Sequence, residues 1–135
     1  MSTMADKQWE QMFHGRKILV YGALMNAHSA VKELETVFPG RVIGCAVTRM
    51  GSNPTEVCGK PVREIGAYEQ LDKANVIVVI ATMPMYFKEI AETLQQQGYL
   101  HICKYDGRLA NRLFRDCTRR FLEERRQAEQ EREEE

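Results

Sequence analysis

Hydrophobic positions follow two rhythms along the chain. Residues 18–20, 42–47 and 76–81 are near-continuous apolar runs rich in valine and isoleucine. Such runs predict strands of a parallel sheet covered on both faces, because a half-exposed strand would alternate apolar and polar residues. Between them Ala27, Ala30, Val31, Leu34 and Val37 recur at three- and four-residue spacing, which predicts a helix packed on one side and stopped by Pro39-Gly40. Asn26 is a candidate N-cap for it.

The same reading gives a first strand at 17–21, a second at 41–47, a loop at 48–55, a short edge strand at 59–62 and a brief helix around 67–71. The clearest strand covers 75–82. Pro84 suits the first turn of a helix running to about residue 97, with Phe87, Ile90, Ala91 and Leu94 on its inner face. Gly98 ends that helix, residues 99–105 form the last strand, and Asp106-Gly107 turns into a long C-terminal helix.

Strands alternating with helices imply βαβ units. The expected fold is a Rossmann-like α/β domain. It is an open parallel sheet of four to five strands in the order 3-2-1-4-5, with helices on both faces and a long C-terminal helix. Residues 1–16 read as a lead-in whose Trp9, Met12 and Phe13 offer a small docking face, 17–122 as the domain, and 123–135 as a charged tail that frays or is disordered.

Composition narrows the classes. The chain has 135 residues, enough for one core, and 44% of them are hydrophobic. Its longest apolar run is far too short to span a bilayer, and the first residues lack a signal-peptide core. The four cysteines (45, 58, 103 and 117) show no CxxC spacing and the three histidines are scattered, so reduced thiols in a cytoplasmic protein are expected, without a metal site. The formal net charge is zero, which argues against nucleic acid as a partner.

The candidate chemistry lies at the strand ends. In an open α/β sheet ligands bind outside the carboxyl ends of the strands, where the strand order reverses. Gly22, Ala23, Leu24, Met25 and Asn26 form the turn from the first strand into the first helix, whose amides at Asn26, Ala27 and His28 face an anion. A dinucleotide fingerprint places glycine where this chain has Gly22, Leu24 and Ala27, and only the first is kept. Leu24 either blocks a pyrophosphate or walls the crevice. A protonated His28 would add charge; otherwise it is a solvated helix residue.

The second strand ends on Thr48 and Arg49, where NAD-binding domains carry an acid for the ribose. Arg49 there suits a phosphate, as in NADP-type sites, or a nucleotide diphosphate; its other reading is a surface arginine. Thr82 and Met83, with Met85, line the far wall. No phosphate loop, HExxH, GxSxG or Tyr-xxx-Lys pair occurs, so a binding module is expected rather than an enzyme. Tyr105 and Asp106 end the last strand within reach of the crevice rim, although Asp106 before Gly107 reads better as turn chemistry.

In the C-terminal helix, Leu109, Ala110, Leu113, Phe114, Cys117 and Phe121 share one face, opposite Arg108, Arg112, Arg115 and Arg119. The apolar stripe is expected to close over the sheet or over a partner, so the 108–122 helix is a candidate surface for a homodimer or a larger enzyme.

Taken together, residues 17–23, 42–47, 59–62, 76–82 and 98–102 resemble the small Rossmann-like nucleotide-binding domain at the front of bacterial sugar-nucleotide acetyltransferases and related surface-polysaccharide enzymes. That resemblance implies a nucleotide-sugar ligand held by the glycine turn and the end of the second strand. Gly22 and Ala23 match the turn, whereas Leu24 and the missing acid after the second strand do not. The acetyltransferase repeats are not in this sequence, so acetyl transfer is not implied. Nucleotide-sugar is the ligand expected, with NADP second.

Overall fold

The computed structural model describes residues 10–134. The elements are β1 (Lys17–Tyr21), α1 (Met25–Val37), β2 (Val42–Val47), β3 (Glu56–Val57), β4 (Lys60–Glu64), β5 (Val76–Ile80), α2 (Phe87–Gln96), β6 (His101–Lys104) and α3 (Gly107–Glu134). Single 3-10 turns at Ile65–Tyr68, Lys73–Asn75 and Pro84–Tyr86 join them. The chain is α/β, with the strands in the spatial order β3-β4-β2-β1-β5-β6. Every neighbouring pair is parallel except β3 with β4.

The sheet therefore has six strands, not the four to five expected. The additional strand is the two-residue β3, which folds back on β4 through Cys58 and Gly59, at φ of 49° and 81°. Positive φ at both central residues matches the twist of a tight hairpin, and Asn-Gly is its usual sequence. Cys-Gly sends no such signal. The brief helix expected at 67–71 is a 3-10 turn two to three residues earlier, and Pro84 opens a 3-10 turn before α2.

Strand residues divide by parity between two cores. Ile18, Val20, Cys45, Val47, Ile77 and Val79 pack beneath α1 and the start of α3 with Ala27, Ala30, Val31, Leu34, Leu109 and Leu113. Leu19, Tyr21, Ala46, Val78 and Ile80 face α2 with Phe87, Leu94, Tyr68 and Tyr99. β1 and β5 are buried almost throughout because helices cover both sides. Gly44 in β2 admits the second layer: a Cβ there would stand 2.5 Å from the Tyr68 hydroxyl, which donates to the Cys45 carbonyl at 3.0 Å.

Residues 10–13 form a helical turn that buries Phe13, stacked on Phe38 with ring centroids 5.0 Å apart. Trp9, expected to join that contact, and Glu135 lie outside the described residues. α3 continues unbroken through Glu134, so the segment from 123, expected to fray or be disordered, is helical here. Leu109 and Leu113 are buried, but Phe114 is 65% and Phe121 60% exposed. The stripe read as one face splits, because a straight helix packs on α1 along a narrower line than six residues occupy.

Candidate functional site

Gly22 makes the turn that places α1. Its amide donates to the Ala46 carbonyl at 2.8 Å, one residue beyond the end of β1. Its φ is +137°, and a Cβ would lie 2.6 Å from the Ala81 carbonyl oxygen. Only glycine tolerates both the angle and the approach. The chain is thereby held between the ends of β2 and β5. Ala23 is buried behind it, and Leu24 follows in an extended conformation at the cap position of α1.

The first turn of α1 has no side-chain cap and no acidic residue. His28 donates its amide to the Leu24 carbonyl at 2.9 Å, so it is spent inside the helix. The amides without an acceptor among the described residues are those of Met25, Asn26 and Ala27, a set shifted by one from the expected Asn26, Ala27 and His28. Asn26 is not the cap. It is the second helical residue, and its Nδ2 donates to the Thr82 carbonyl at 3.3 Å, tying the helix start to the chain leaving β5.

An apolar rim surrounds this turn. Leu24 is 70% exposed and Met25 83%, and Met83, Met85 and Tyr86 are also open to solvent. Leu24 does not plug the edge. At the end of β2 the Thr48 hydroxyl meets the Tyr21 hydroxyl at 2.5 Å, so Thr48 is engaged with β1. Arg49 is exposed; its carbonyl accepts from Asn53, and its guanidinium has no carboxylate partner among the described residues.

The fold thus gathers Gly22, Ala23, Leu24, Met25, Asn26, Thr82 and Met83 around the ends of β1 and β5, with Thr48 and Arg49 at the end of β2. His28 belongs elsewhere. Its Nδ1 is 3.6 Å from Cys58 Sγ at the tip of the β3–β4 hairpin. Nothing in the sequence pairs these residues, which are thirty positions apart.

Tyr105 and Asp106, placed by the sequence near the crevice rim, have structural partners. Tyr105 donates to Glu33 of α1 at 2.7 Å, and burial together with that carboxylate pushes its phenol well above the usual range. Asp106 caps α3, accepting from the Leu109 amide at 3.0 Å. Burial also pushes the thiols of Cys45 and Cys103 up to about 12, which keeps both protonated and inert at neutral pH.

Two shallow depressions of about 270 Å³ each border α1. One is lined by Val31, Lys32, Glu35, Thr36 and Cys58, the other by Ser29, Lys32, Glu33, Thr36 and Cys117. Neither includes a residue of the β1–α1 turn. Among the described residues no three His, Cys, Asp or Glu side chains converge as a metal site would require, and no helix is long and apolar enough to cross a membrane.

No protein-family model, curated protein or solved structure matches this chain.

Proposed function

We propose that this chain is a Rossmann-like accessory module that binds a nucleotide or nucleotide-sugar for bacterial surface-polysaccharide synthesis. The phosphates sit on the first turn of α1. The observation that carries this reading is the run of three amides at Met25, Asn26 and Ala27, left without acceptors among the described residues directly after the Gly22 turn. Amides so placed at a positive helix end favour an anion. Arg49 adds a cation from the end of β2. The base or sugar lies between Leu24 and Met83, whose exposed apolar surfaces suit a flat or weakly polar group. The site is an open edge at which no acid–base pair stands among the described residues, and binding is the role this reading gives it.

Thermal unfolding in the presence of UDP-sugars, CMP-sugars, NADP, NAD and coenzyme A tests this. At a hundred times its Kd a ligand stabilises by about 2.7 kcal/mol, a shift of several degrees for a domain of this size. A UDP- or CMP-sugar should give the largest shift, and Arg49→Ala should reduce it. A larger shift with NADP would move the reading to a dinucleotide-binding domain. No shift with any of them at millimolar concentration removes it.

A further inference from the structure

We propose that α3 joins two copies of this chain, pairing antiparallel with α3 of a second copy. The helix has 28 residues, roughly 42 Å at 1.5 Å per residue. The body holds only its beginning: Leu109 and Leu113 are buried, and Cys117 Sγ approaches the Glu33 carbonyl at 3.7 Å. From Thr118 to Glu134 every residue is exposed. A helix of this composition with no tertiary packing is marginal in water, and Arg125 with Glu129, 3.6 Å apart, supports it only weakly.

Three large apolar side chains stand on the part that faces away from the body. Phe114 is 65% exposed, Phe121 60% and Leu122 52%. Phe114 and Phe121 are two turns apart and share a face. They form a short seam across the middle of the helix and need an apolar cover to leave water.

The charges say what the cover is. Residues 108–120 carry five arginines and one aspartate, whereas 121–134 carry six glutamates and three arginines. A parallel mate would set arginine against arginine and glutamate against glutamate. An antiparallel mate sets the basic half of each helix beside the acidic half of the other. With Leu122 opposite Leu122, Arg115 lies across from Glu129 and Arg120 across from Glu124, against Arg119 across from Arg125 and Arg112 across from Arg132, so the match is one of the net charge of each half, and the two-fold axis repeats each pair. Phe121 and Leu122 then fall at the centre, where they are most completely covered, and Phe114 lies about 12 Å to either side, across from Gln130. The surface complements itself, as a two-fold interface requires. An acidic foreign partner would match the basic half alone and leave the glutamates unmatched.

The test is sedimentation equilibrium of the full chain from low to high micromolar concentration. Wild type should show a monomer–dimer equilibrium that weakens with added salt, because the pairs are at the surface. Arg115→Glu with Arg120→Glu sets acid against acid, and Glu124→Arg with Glu129→Arg sets base against base. Each double variant should be a folded monomer, its Kd raised at least about tenfold, equivalent to 1.4 kcal/mol. An equimolar mixture of the two should dimerise again, because each variant then supplies what the other lacks. Phe121→Asp provides a second route should a charge variant unfold, and it should give a folded monomer. A monomeric wild type at the highest concentration overturns the proposal. So do dimeric double variants, a monomeric mixture, or a Phe121→Asp chain that stays dimeric.

Discussion

Leu113 and Phe114 are neighbours in one helix and in opposite circumstances. Leu113 is fully buried in the core on the α1 side, and Phe114 is 65% exposed. The contrast extends along α3, which is part of the core at its start and a free-standing rod of charged residues beyond it. Both parts have the same backbone. What differs is what lies beside them, so hydrophobicity alone says which residues seek cover and not which of them find it within one chain.

The largest effect that tests this contrast is a truncation. Leu113→Ala should destabilise the fold by about 2–5 kcal/mol, the range for emptying a well-packed core site. Phe114→Ala should stay within about 0.5 kcal/mol in dilute solution, where the chain is monomeric, although it removes more atoms. Denaturant unfolding of both variants measures the difference. A costly Phe114→Ala in the monomer would mean that the body covers that ring.

Alkaline pH acts on the body and spares the extension. Burial pushes Cys45 and Cys103 up to about 12, from the ordinary thiol value of 9.0. Their folded values lie above the unfolded ones, so the stabilisation is complete below about pH 9 and is lost as pH rises toward 12. Stability should fall by up to about 1.4 kcal/mol per pH unit for each thiol that the unfolded chain ionises. The raised values of Tyr68, Tyr99, Tyr105 and Cys117 act in the same direction. Residues 118–134 carry no cysteine or tyrosine. Denaturant titrations at stepped pH should show this loss, and Cys45→Ala with Cys103→Ala should flatten it.

The smallest effect is within the extension. Arg125→Ala removes the ion pair to Glu129 and should cost a few tenths of a kcal/mol of helix stability. Far-UV circular dichroism should record slightly less helix, most visibly at low salt, while the melting temperature of the body stays unchanged.

How much of this was legible in the chain differs from element to element. The buried parallel strands were readable because Val76–Ile80 has no polar residue to place in water. The β3–β4 hairpin was not, because Cys58 stands where asparagine usually reports a left-handed turn. At the candidate site Gly22 announced a tight turn, and its 2.6 Å constraint against Ala81 gives the physical reason. Asn26 looked like a cap, since its side chain suits one. Instead Leu24 holds the cap position, and Asn26 reaches across to Thr82. His28 looked like part of the anion site because position along a helix says nothing of what approaches from the side.

Taken alone, the order of residues determined the class of the fold, its buried strands and the turn at Gly22, because periodicity and backbone freedom are local properties. Tertiary structure decided which amides of α1 lack acceptors among the described residues, that His28 meets Cys58, and that half of α3 extends beyond the body. Those outcomes depend on which segments meet in space, and a pattern of apolar and polar residues specifies the need for a contact without naming the partner.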